Sequence, residues 1–182
     1  MADNTASRAA GPFRPYPWPL EKVRTALRAA RRARITWGSP ARFSFGAELS
    51  LAKGADVRSP HHFATGDRVS VGKNFTCEVD TRIGSDVLIS SNVSIIGNDH
   101  PFDDLGTTVY AAPRRDDSTV EIGSDVLIGF GSIVVGTVVI GDGCIVGAGS
   151  VVVHDLPPYT ICAGVPARPL RPRFRTAEQR AR

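Results

Sequence analysis

The sequence has no run of about eighteen apolar residues, so nothing in it reads as a membrane span. Its beginning, Met1 to Gly11, lacks the apolar stretch of a secretory signal. Aromatic residues make up only 7% of the 182 and methionine occurs once, so any core has to be aliphatic. Cysteine is scarce and odd in number. Cys77, Cys144 and Cys162 have no metal-ligand spacing, which excludes a disulfide framework and suits reduced thiols, packed as small hydrophobes in a cytoplasmic protein. Positive charge is nearly missing from the middle: residues 43–167 hold 7 Lys/Arg against 15 Asp/Glu, while the two ends hold 15 against 3. The formal net charge of +4 therefore describes no single surface. A uniformly basic nucleic-acid binder is excluded, and the Arg-rich tail reads as solvated.

Amphipathic helical periodicity is also absent between residues 43 and 155. What replaces it is a repeat. Val71, Cys77, Ile83, Ile89 and Ile95 recur every six residues, and two places earlier run Val69, Phe75, Thr81, Val87 and Val93. This second row extends backwards through Phe63, Val57, Leu51 and Phe45. After an interruption Ile122, Ile128, Val134, Ile140, Val146 and Val152 resume the first row. Val120, Val126, Ser132, Val138, Cys144 and Ser150 resume the second. Glycine follows the first row at 72, 84, 123, 129, 141 and 147, where it is expected to supply the positive φ of a tight turn. A six-residue strand-and-turn unit buries too little by itself, so successive coils must stack at about 4.8 Å, giving a β-solenoid. Gly129-Phe130-Gly131 begins like a dinucleotide fingerprint, but the third glycine and the helix are missing.

Three regions follow. Residues 1–42 comprise a Pro-rich, extended arm and a basic helix from Pro19 to about Ala33, whose Leu20, Val23, Leu27 and Ala30 lie at helical spacing. That helix is expected to cap the first coil. Residues 43–167 form the solenoid, and 168–182 a basic C-terminal tail.

Ile95 and Ile122 are 27 residues apart, which is not a multiple of six, so the loop at 97–119 is chain expelled from the coil. His100 sits where regular coil becomes loop, with Asp99, Asp103 and Asp104 close by to orient its ring. An imidazole held against an acceptor hydroxyl is what general-base catalysis requires; a surface loop histidine is the plain alternative.

The hexads, the Asn98-Asp99-His100-Pro101-Phe102 loop and the Gly164-Val165-Pro166-Ala167-Arg168 segment resemble hexapeptide-repeat acyltransferases. The closest resemblance is to sugar O-acetyltransferases of the maltose and galactoside type and to polysaccharide acetyltransferases, over roughly residues 43–172. It implies an all-β, left-handed parallel β-helix of triangular section, and a homotrimer with acetyl-CoA along grooves between subunits. It makes His100 the catalytic base and places Asn92 in the acceptor pocket, although a polar turn residue needs no such role. Gly129 and Phe130 match the segment that approaches the thioester, and Gly147 and Ala148 the small residues beside the pantetheine arm. Arg168 and Arg171 match cations for the CoA phosphates, or else belong to a solvated tail.

Three departures bear on this. Val153-His154-Asp155 stands where the family has Thr-Lys-Asp, removing one cation and leaving Val153 and His154 beside the CoA. Leu127 replaces a tryptophan of the groove. The Phe-Tyr-x-Asn acceptor segment is replaced by Phe75-Thr76-Cys77-Glu78-Val79-Asp80, which leaves Asp80, with Asp99, as an acceptor contact. The expected reaction is direct acetyl transfer to a hydroxyl, without metal, and with backbone N–H groups near Gly129 and Phe130 on the oxyanion. The rivals are an N-acyl or antibiotic acetyltransferase, a covalent acyl-cysteine route, a γ-carbonic-anhydrase-like zinc protein and a non-catalytic scaffold. Adjacent His61-His62 do not suit a zinc set spread over two coils.

Overall fold

A computed structural model describes residues 18–114 and 118–175. The Pro-rich arm before Trp18, Arg115–Asp117 of the loop, and the tail from residue 176 lie outside the described residues. Short strands stack into three parallel sheets. Sheet A holds Arg42–Phe45, His62–Thr65, Asp80–Ile83, Thr119–Ile122 and Val138–Ile140. Sheet B holds Ser50–Leu51, Ser70–Val71, Leu88–Ile89, Leu127–Ile128, Ile145–Val146 and Thr160–Gly164, closed by Ala167–Pro172. Sheet C holds Asp56–Val57, Thr76–Cys77, Ser94–Ile96, Ile133–Val135 and Val151–Val152. The chain visits A, B and C in turn, and the regular coil is three hexads: Ser70 pairs with Leu88 and Thr76 with Ser94, eighteen residues apart.

Both apolar rows point into the prism. Phe63, Phe75, Val93, Ile95, Ile128, Val134, Ile140 and Cys144 are fully buried. Each such aliphatic or aromatic side chain contributes roughly 1.5–3 kcal/mol. The backward extension of the rows needs correction. Leu51 pairs with Val71, Val57 with Cys77 and Phe45 with Thr65, so these three belong to the first row. The second row continues instead through Phe63 to Leu49, which is also buried. The cause is two extra residues at the C-to-A corner, Arg58–His61, which lengthen that coil to twenty.

The hexad glycines also serve a different end from the one expected. A Cβ at Gly72 would lie 2.4 Å from the Ser91 nitrogen, and at Gly129 2.4 Å from that of Ala148. Only a residue without a side chain lets stacked backbones approach this closely. The positive φ falls two places later, mostly on other residues: Arg68 (54°), Asn74 (55°), Asp86 (60°), Asn92 (59°) and Asp125 (56°).

The helix α1, Trp18–Thr36, does cap the first coil, but not through its apolar stripe. Val23 and Leu27 are 55% and 48% exposed. Guanidinium groups do the capping: Arg31 donates to the Leu51 carbonyl at 2.9 Å, Arg32 to Leu49 at 2.5 Å and Arg34 to Ala55 at 3.5 Å. These oxygens sit at the open end of the stack, where no earlier coil supplies partners, and Ile35 is the buried apolar anchor.

Two further features position the site. Ile83 pairs with Ile122, so the stack continues in register across the expelled loop. Its root is stapled by the Asn98 side chain, which accepts from the Ser118 N–H. At the other end the supposed tail is part of the body. Ala167–Pro172 turns back antiparallel on Thr160–Gly164 as the last strand of sheet B.

Candidate active site

His100 stands at the C-to-A corner, half-buried, with Nδ1 2.6 Å from the Ala112 carbonyl oxygen. A carbonyl can only accept, so Nδ1 carries the proton and Nε2 presents its lone pair. The group that sets the tautomer is therefore backbone from the far side of the loop, held by a buried alanine. Asp99 beside it is exposed. Sequence reasoning missed Ala112, and no signal marks it: a carbonyl twelve residues away has no residue type to betray it.

The residues matched to the cofactor fall on the B-to-C corner. Gly129 N–H donates to Val146 O and Gly147 N–H to Cys162 O, each at 2.8 Å. Gly129, Gly147 and Ala163 thus follow one another up the stack, and Ala163 pairs with Arg168 on the final strand. A Cβ on Gly147 would meet the Ala163 methyl at 2.8 Å, so this line carries nothing larger than a methyl group. Ala163 was not singled out beforehand because the last coil is two residues short and leaves the six-residue count. Ala148 and Phe130 occupy the next row, both exposed.

In an ideal strand Arg168 and Arg171, three apart, would face opposite ways. A register shift at Ile161/Cys162 lets Arg168 pair with Ala163 and Arg171 with Ile161, two apart on one strand, so both arginines share the outer face. Among the described residues each bonds only a neighbouring backbone carbonyl, at 3.1 Å, and both are exposed. Two guanidiniums on one face at the end of a line of Gly and Ala fit a phosphate-bearing chain.

The oxyanion expectation narrows. The Gly129 N–H is consumed by the coil ladder, whereas among the described residues the Phe130 N–H makes no hydrogen bond. Val153 and His154 lie on the C-to-A corner of the last coil, exposed, on the corner of His100 and away from Gly129. Asn92 is a left-handed turn residue whose Oδ1 accepts from Asn74 Nδ2 at 2.9 Å.

Asp80, expected at the acceptor, is turned onto its own chain. It is 4% exposed and accepts from the His61 and His62 amides at 2.8 and 2.9 Å, with both imidazole Nδ1 atoms within 3.2 Å. Burial opposes its charge, but the His62 and His61 amides and imidazoles outweigh it and hold the carboxyl below its usual range. Its work is to pin the two-residue insertion. Among the described residues no cluster of three or more His, Cys, Asp or Glu is arranged to hold a metal. Nor is any helix long and apolar enough to cross a membrane. The thiols are fully buried, and burial, with Cys162 next, pushes the Cys144 thiol up to about 12, which suits packing and not nucleophilic attack.

A three-sided hexad solenoid with an expelled histidine loop defines the class: a left-handed β-helix of hexapeptide repeats. Residues 119–154 match the family described as bacterial transferase hexapeptide (six repeats). The chain is 32% identical to the galactoside O-acetyltransferase of Escherichia coli K12 over 133 residues, 67% of this chain and 63% of that protein. It thus spans less than two thirds of that relative's length. Among solved structures it is similar to a maltose O-acetyltransferase from Clostridium difficile 630, with 25% identity and a TM-score of 0.50, covering 85% of this chain and 84% of the other. It is also similar in fold to AntD, an N-acyltransferase from Bacillus cereus in complex with dTDP and coenzyme A. That match has 22% identity and a TM-score of 0.62, covering 78% and 82%.

Proposed function

We propose that the protein is an acetyl-CoA-dependent O-acetyltransferase that acts on a hydroxyl of a sugar or sugar-containing acceptor by direct transfer. The observation that carries this reading is the Ala112 carbonyl on His100 Nδ1, which leaves Nε2 as a positioned base. His100 takes the proton of the acceptor hydroxyl as that oxygen attacks the thioester carbonyl. The C–S bond breaks and the thiol leaves protonated. Phe130 offers its N–H to the developing oxyanion. Gly129, Gly147 and Ala163 form the bed for the pantetheine arm, and Arg168 and Arg171 hold the phosphates. Asp99 contacts acceptor hydroxyls, and Asn92 meets the acceptor through its amide donors only.

In one chain His100 and Phe130 occupy different corners, separated by the width of sheet C. That is about a hexad of extended chain, or ~20 Å at ~3.3 Å per residue. Base and cofactor line meet only if the corner of one copy faces that of another, which supports the trimer. Holding two substrates in line between copies then supplies much of the rate. Replacing His100 with Ala is expected to lower turnover by about 10²–10⁴ while CoA binding and assembly persist. Near-normal thiol release from acetyl-CoA by that variant would remove His100 from the mechanism.

A further inference from the structure

Below the first coil, a cleft of about 370 Å³ opens between the end of α1 and the lowest strand of sheet C. Trp37 borders it and is 88% exposed, an unusual cost for the largest apolar side chain in a monomer. Asp56 and Arg58 also line it and pair with each other at 2.7 Å, both still partly open to solvent. Arg34 completes the rim. An exposed indole and a carboxylate–guanidinium pair bordering one cleft offer an apolar face for ring C–H groups, with donors and acceptors for vicinal hydroxyls. That is the chemistry that recognises a saccharide ring.

Its place along the prism gives the site a meaning. Asp56 pairs with Thr76 and Thr76 with Ser94, so the cleft lies two coils below the strand from which the His100 loop leaves. At about 4.8 Å per coil that is ~10 Å along the same side of the molecule. The Arg58–His61 insertion, pinned by Asp80, supplies Arg58, Ser59 and Pro60 to the cleft and leads the chain into the C-to-A corner of that coil.

We infer that this cleft is a second saccharide subsite, holding a sugar unit of the acceptor remote from the one that His100 acetylates. The natural acceptor is then an oligosaccharide or the end of a polysaccharide. This rests on the sugar O-acetyltransferase reading, so the test separates the two. Trp18→Phe leaves Trp37 as the sole tryptophan, and its emission is titrated with matched mono- and tetrasaccharides of glucose, galactose and sialic acid. At least one tetrasaccharide is expected to shift it saturably, with the matching monosaccharide silent. Trp37→Ala should raise KM for that tetrasaccharide about tenfold and leave KM for acetyl-CoA and for the monosaccharide unchanged. Arg58→Ala, at an exposed position, should do the same. Absence of any tetrasaccharide response at Trp37, or an equal loss with the monosaccharide, overturns the subsite. A saturable Trp37 response in a protein that acetylates no saccharide would instead overturn the sugar-transferase reading and keep the subsite.

Discussion

Glycine at the hexad corner shows how one residue type answers to two different demands. At Gly129 the demand is proximity: a methyl group would lie 2.4 Å from the Ala148 nitrogen, and backbone cannot give way cheaply. At Gly131 the demand is conformational, with φ of 68° and nothing within 4 Å of a Cβ. Gly129→Ala is therefore expected to cost about 2–3 kcal/mol by overpacking, and Gly131→Ala only about 1 kcal/mol of backbone strain. Urea denaturation of the two variants checks the order; equal costs would mean the coils slide apart freely. The glycine positions were legible in the sequence, but their reason was not. Spacing reports that a side chain is excluded and leaves open whether φ or a neighbour excludes it.

At the scale of the element, what could be read was whatever keeps the period. The three sheets, the two inward rows and the interruption at 97–119 all follow from counting sixes. Leu51 and Val57 were put in the wrong row because both rows are apolar and two residues apart. A two-residue insertion therefore shifts one onto the other without disturbing the pattern. The final hairpin reads as a tail in the sequence because its register shift leaves no periodic mark. The insertion depends on Asp80, whose folded-state pKa is lowered. Its contribution is thus fully present above the ordinary carboxylate range near pH 4 and is lost as pH falls through the lower folded value. Asp80→Asn is expected to cost about 1–3 kcal/mol at neutral pH: Oδ1 still accepts from both amides, but an uncharged NH2 replaces the carboxylate Oδ2 that lies within 3.2 Å of the His61 and His62 Nδ1 atoms. It should also flatten the fall in stability below about pH 4 relative to the native protein. Urea midpoints across that range read both effects, and an unchanged acid slope would show that other carboxylates govern it.

At the scale of the molecule, the charge division resolves into architecture. The acidic middle is the solenoid with its exposed corners. The basic ends are an arginine cap on the first coil and a strand that carries Arg168 and Arg171. What the single chain leaves unsatisfied is apolar. On the histidine loop Leu105 is 100% exposed, Tyr110 97% and Phe102 79%. On sheet B the outward residues Leu88, Leu127, Ile145 and Ile161 stand in one ladder across successive coils. Apolar surface of this kind fits the proposed trimer interface, and on that reading a loop that carries both the proposed base and these side chains couples assembly to activity. Leu105→Glu touches nothing inside the chain, so its effect on monomer stability should stay within about 0.5 kcal/mol. It should nevertheless shift the oligomer towards monomer in light scattering, and turnover should fall in parallel, because the base then loses the cofactor line of its neighbour. If the variant remains trimeric and fully active, the loop tip lies outside the interface and the active site has to be completed within one chain.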